Sequence, residues 1–205
     1  MLTLAAMVLA ASPLTRGTDV AKLLGQEVEV QGVLERVELS KGGKQWEGTG
    51  LVLDDDTVVY VTYGPPPKGW EADVGFLVRV KGLLSPSIGD REQSLIAPHL
   101  RQAGAPTRVT RKPGELVGQR VHLAGVARDA KGGAVLVVDE GPLYLVGLES
   151  WPAGVSGKRV AVGGTLARTQ HLPEATKNAK GEWSQGARGK QLVLQQPRWR
   201  LVDGP

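Results

Sequence analysis

Apolar positions along this chain alternate with polar or small ones in short runs, and almost every run stops at a Gly, Pro or Asp cluster. Val28, Val30 and Gly32 predict a first strand reaching toward Leu39, and Lys41-Gly42-Gly43-Lys44 turns the chain. Thr49 to Leu53 is read as a second strand, and Asp54-Asp55-Asp56 as a tight turn into a third, Thr57 to Tyr63. Pro65-Pro66-Pro67-Lys68-Gly69 ends it, Gly75 to Leu84 is a long fourth strand, and Gln93 to Ala97 a fifth. The same series follows at Arg120 to Arg128, Ala134 to Val138, Leu143 to Gly147, Lys158 to Arg168 and Lys190 to Gln195. The reading is all-β.

The two series also match residue by residue. Leu23-Leu24-Gly25-Gln26-Glu27-Val28-Glu29-Val30-Gln31-Gly32-Val33 reappears as Leu116-Val117-Gly118-Gln119-Arg120-Val121-His122-Leu123-Ala124-Gly125-Val126. Gly75-Phe76-Leu77-Val78-Arg79-Val80-Lys81-Gly82 answers to Gly157-Lys158-Arg159-Val160-Ala161-Val162-Gly163-Gly164. An internal duplication follows, with domain one at 20–103, a Pro-bounded basic linker at 104–113 and domain two at 114–203. Five strands with an early glycine-bearing one, opened by Leu-x-Gly-Gln-x-Val-x-[Val/Leu]-x-Gly-Val, resemble bacterial OB-fold modules related to anticodon-binding domains. That resemblance implies two tandem five-stranded OB-like β-barrels whose ligands lie on strands two and three between the first and fourth loops. Many members carry a helix between strands three and four. Here three prolines in one copy and Trp151-Pro152-Ala153-Gly154 in the other leave room for a turn or two, so paired SH3-like barrels stay open as an alternative.

Offsets between copies locate the differences. They are 93 residues at the first strand, 84 at strands two and three, 82 at strand four and about 97 at strand five. Copy one therefore has a first loop nine residues longer, and copy two a strand-four loop about fifteen longer. These loops carry Lys44 with Trp46, and Lys177, Lys180, Trp183 and Arg188. Tryptophan among cations suits stacking with phosphate neutralisation, and equally a loop anchored back on its own barrel. Alternation in strand three, with Val59 and Val61 turned to the core, points Tyr60 and Tyr144 onto the binding face; the bland reading turns them inward or over an edge. Trp70 and Trp151, equivalent before strand four, are read as barrel plugs.

Composition narrows the chemistry. There is no cysteine in the 205 residues, which removes disulfides, thiolate metal sites and cysteine nucleophiles. His99, His122 and His171 lack metal or catalytic spacing, and His122, alternating with Val121 and Leu123, is expected to face water. The Asp54-Asp55-Asp56 run lacks the alternation and distal Glu of a calcium loop, and no phosphate loop accompanies Val135-Leu136-Val137-Val138-Asp139-Glu140. Residues 1–103 carry 10 Lys/Arg and 13 Asp/Glu, against 15 and 8 in residues 104–205. The second half is thus the one suited to an anionic partner. Met1 to Ala11, followed by Ser12-Pro13, looks like a secretory signal without its basic start, the alternative being an apolar arm on the first domain; it is too short to span a membrane. The expectation is a non-enzymatic, periplasmic or secreted protein without cofactor or metal, binding a protein, peptide or other extracytoplasmic ligand. The competing class is a single-stranded nucleic-acid-binding protein using the basic second domain, cytoplasmic if the first residues are no signal.

Overall fold

β-branched and leucine runs, cut by glycine and proline, form eleven strands among the described residues, in chain order: β1 (Glu27–Lys41), β2 (Lys44–Val52), β3 (Val58–Tyr63), β4 (Leu77–Ile88), β5 (Leu95–Arg101), β6 (Thr107–Arg108), β7 (Arg120–Ala130), β8 (Gly133–Val138), β9 (Gly141–Leu145), β10 (Arg159–Thr169) and β11 (Gln191–Leu201). The structure, a computed structural model, describes residues 12–41, 44–88, 95–177, 179–181, 186–187 and 189–202. No helix among them is long and apolar enough to cross a membrane.

β1 must bend because it serves two neighbours in turn. Glu27 to Val33 lies antiparallel to β4, and Val33 to Lys41 antiparallel to β2. Gly32 stands at the changeover, where a Cβ would lie 2.7 Å from the carbonyl oxygen of Val52. Only a residue without a side chain lets the strands approach so closely. β7 bends in the same way between β10 and β8, with Gly125 at the changeover and the Val137 carbonyl 2.4 Å from its would-be Cβ.

The first sheet runs β1-β2-β3-β5-β4, β4 pairs back to β1, and β6 adds to β4; the second closes as a barrel, β10-β11-β9-β8-β7. Both halves therefore follow one pairing order, and each includes a parallel strand pair, β3 with β5 (Tyr60 opposite His99) and β9 with β11 (Tyr144 opposite Val193). Backbone bonds outside the ladders repeat as well. Gly25 N–H donates to Leu84 O (2.7 Å) as Gly118 does to Leu166 O (2.8 Å), and Gly75 N–H donates to Leu34 O as Gly157 does to Ala127 O, both at 2.8 Å. All four glycines have φ between 80° and 91°, a region that suits a residue lacking Cβ.

The interior is aliphatic. Leu34, Leu51, Leu53, Val59, Leu84 and Leu100 fill the first half, and Leu136, Leu143, Leu145, Leu166 and Leu194 the second. Trp70 and Trp151 are buried in the two clusters as expected. The Trp151 indole N–H donates to Arg128 O and Val135 O (3.0 and 3.1 Å), and Trp199 meets its ring edge-on at 5.1 Å. The halves are not independent: Ala161 and Val202 of the second belong to the apolar cluster of the first.

Several expectations need correction. The first loop of copy one is a continued hairpin, β1 and β2 pairing out to Lys41 opposite Lys44. Leu34 faces Leu51 as Ala127 faces Leu136, which sets the second-strand offset at 85 and the excess at eight residues rather than nine. Leu84 faces Leu100 and Leu166 faces Leu194, so the fifth-strand offset is 94, and the strand-four connection of copy two exceeds that of copy one by twelve residues rather than fifteen. β5 runs on to Arg101 and β11 to Leu201, past Pro98 and Pro197, which interrupt the sequence pattern. In the second case the register shifts between Gly163 and Thr165, opposite Gln196 at φ 49°, and this bulge takes up the interruption. Between β3 and β4, in keeping with the room the prolines leave, the only helical element described is one 3-10 turn, Glu71–Asp73. The 104–113 segment supplies β6 and leads into a 3-10 turn, Pro113–Leu116.

Candidate functional site

The densest polar cluster lies where the halves meet. Glu35 follows the bend of β1 and points outward, since Leu34 beside it points in; Asp54 and Asp56 sit in the β2–β3 turn, Asp56 at φ 66°. His122 of β7 reaches between them. Its Nε2 is 2.7 Å from Glu35 Oε1 and its Nδ1 3.1 Å from Asp56 Oδ1, with the histidine 5% and Glu35 1% exposed. Arg200 of β11 pairs with Glu35, and Arg120 with Asp56. Arg111 grips Asp54 with two bonds of 2.5 and 2.7 Å. Gly163 closes one side, for a Cβ there would lie 2.6 Å from Asp56 Oδ1 and 3.2 Å from His122 Nδ1.

Electrostatics fix the protonation of this group. Burial works against a charged His122, but the bonds to Asp56 and Glu35 and the Glu35 charge outweigh it and raise its pKa above 6.5. Burial likewise opposes ionised Glu35, yet His122 and Arg200 hold its pKa below the ordinary value. The His122 bond, against some burial and with help from Arg120, holds Asp56 well below the carboxylate range. At a pH below that raised value, His122 is an imidazolium that donates through both nitrogens to carboxylates from the other half. Neither nitrogen is left for a substrate proton or a metal, and among the described residues no group of three or more His, Asp or Glu side chains is disposed to hold one. The cluster is a clamp. The expectation that His122 faces water is overturned: its face of β7 looks at the first half of the molecule, which strand alternation alone cannot reveal.

The residues proposed from sequence fall in different places. Tyr60 turns away from the Leu51 and Val59 core onto the outer face, but Val37, Val52, Val58 and Ala97 cover it to 9% exposure. Its hydroxyl pKa is raised by that burial and by Tyr63 nearby. Tyr144 is half-buried, its ring tilted against His171 at 4.8 Å. Trp46 lies in β2, 40% exposed, two positions along from Gly48, which faces Tyr63, itself 42% exposed. Strand parity puts both rings on the outer face that also carries Tyr60. Lys44 opens β2 and is described by its backbone alone. Lys177 and Lys180 are exposed, whereas Trp183 and Arg188 lie outside the described residues, as does the apolar run 1–11.

Beyond Glu47, whose carbonyl accepts from Gly64 N–H, β2 has no second strand beside it among the described residues. The same holds for β1 from Arg36 to Lys41. The two strands form an arm whose outer edges take no further strand among the described residues. Tyr63 was not singled out from sequence: plain alternation in β3 puts it on the face of Val59 and Val61, and the register shift between Thr49 and Gly50, which leaves Val61 unpaired, turns it to the other face. No family model matches the chain, and no curated protein or solved structure matches it either.

Proposed function

We propose that this chain is a non-enzymatic binding protein made of two OB-like barrels descended from one duplicated unit, and that it takes an extended segment of a protein or peptide on the β1–β2 arm. The shared pairing order, the paired bend glycines and the repeated backbone bonds support the duplication. One observation carries the binding reading: the arm exceeds its counterpart, which turns at Ala130 and Gly133, and it presents Trp46, with Tyr63 of β3 nearby, beside strand edges that take no further strand among the described residues. Open edges offer main-chain hydrogen bonds to an added strand, and exposed aromatics supply anchoring area at small entropic cost. The export reading rests on residues 1–11, and the N-terminal sequence of the mature protein tests it.

A photo-crosslinking side chain placed at Trp46, and as a control at exposed Val137, tests the site in the producing cell. The reading expects a discrete protein adduct from position 46 that position 137 does not give. Equal or absent adducts at 46 refute it. Oligonucleotide binding that weakens steeply with salt and is lost in Trp46→Ala would replace it with the nucleic-acid reading.

A further inference from the structure

A second feature is a cleft of about 340 Å3 between the two halves. Leu77, Leu123 and Val138 give it apolar walls, and Phe76, the single phenylalanine of the chain, lines it as well. The Arg108 guanidinium carbon lies 3.6 Å from the Phe76 ring centroid and that of Arg159 lies 3.7 Å from it. Two guanidinium groups so close to one centroid must occupy opposite faces of the ring. Cation–π attraction of each to the ring is worth roughly 0.5–2 kcal/mol, and it holds two like charges facing one cavity.

Their remaining partners differ. Arg108 is paired with Asp73 at 2.6 Å and also donates to the Ala72 carbonyl, and Arg111 at the cleft wall is spent on Asp54. The Arg159 guanidinium has no hydrogen bond and no ion pair among the described residues, although the Arg159 carbonyl accepts from Val202 N–H at 3.1 Å. Asp139, which also lines the cleft, acts on it only at a distance. Burial and the Arg108 charge both disfavour its cation, with Asp139 offsetting them in part. A guanidinium carries five N–H donors in a planar fork suited to two oxygens of one group. Thr110 adds a hydroxyl at the same rim. Both faces of Phe76 are taken, so the ring cannot stack on a ligand and serves to aim the cations.

We propose that this cleft binds a small ligand through an oxyanion, a phosphate or a carboxylate group, which Arg159 takes in its fork and Arg108 supports from across the Phe76 ring. The apolar walls accept a short hydrocarbon portion of the same molecule. The site is separate from the β1–β2 arm and stands whether or not the arm binds a peptide.

The test uses the full chain with inorganic phosphate, acetate and chloride as sodium salts at matched ionic strength. Binding is followed by the unfolding midpoint and by the side-chain Nε resonance of Arg159. Phosphate or acetate is expected to raise the midpoint and move that resonance where chloride does neither, and the stronger of the two identifies the oxyanion. Arg159→Gln should weaken binding roughly ten- to a hundred-fold, the usual loss for a charge-assisted pair. Asp139→Asn should tighten it, because a competing carboxylate is gone. Identical responses to the three salts, or unchanged affinity in Arg159→Gln, overturn the proposal. Should Arg159→Gln fail to fold, Arg159→Lys and Asp139→Asn decide the matter, and binding constants unaltered in both overturn it equally.

Discussion

Replacing His122 by alanine removes the cation that two carboxylates of the other half share, and its cost can be worked from the clamp. Glu35 is 1% exposed and keeps only Arg200, while Asp56 keeps Arg120. Deleting one partner of a buried ion pair costs about 3–5 kcal/mol, because the remaining charge stays desolvated. At about 2–4 °C per kcal/mol for a chain of this size, the unfolding midpoint should fall by roughly 6–20 °C. The loss must also depend on pH. The folded pKa of His122 is raised, so its contribution is complete below the unfolded value of about 6.5 and disappears as pH climbs through the folded one. Glu35 and Asp56 are shifted down, so their share is present above about pH 4 and disappears as acid protonates them in the folded state. A neutral imidazole would also turn an acceptor nitrogen toward one carboxylate. Wild type and His122→Ala should therefore differ most between about pH 4.5 and 6.5 and converge in alkaline buffer. Denaturant titrations from pH 4.5 to 9 measure the gap. A gap constant across that range, or one growing with pH, refutes the imidazolium clamp.

Gly125→Ala puts a Cβ 2.4 Å from the Val137 carbonyl at the bend of β7; a loss of about 1–3 kcal/mol is expected in equilibrium unfolding, and a neutral result would contradict the tight crossing. Trp151→Phe keeps most of the apolar volume but leaves Arg128 O and Val135 O without the indole donor. It should cost about 1–3 kcal/mol by the same measurement, with the far-ultraviolet circular dichroism unchanged.

Strand alternation carried much of the architecture because a half-buried strand must place its apolar side chains with period two. Val59, Leu143 and Leu145 are core as that rule requires, and Trp70 and Trp151 are buried plugs. The rule reaches no further than one strand and its own sheet. It puts His122 and Glu35 on outer faces without saying that these faces meet each other, and their partners stand 87 residues apart in the chain. Arg200 and Glu35, separated by 165 residues, were equally invisible. Tyr60 illustrates a second limit: period two placed its ring outside the main core, but its cover comes from Val37 of β1 and Ala97 of β5, and alternation within β3 does not say which side chains of other strands lie over it. The Phe76 sandwich gave no signal, because neither arginine has a sequence relationship to that ring.

Val202 packs into the apolar cluster of the first half, and a Cβ added to Gly75 would touch its side chain at 2.8 Å. On the ribosome, then, the apolar cluster of the first half stays incomplete until a residue translated after the described strands of the second sheet has emerged. Nascent chains arrested before that point should stay protease-sensitive in the first half and gain resistance across both halves together on release.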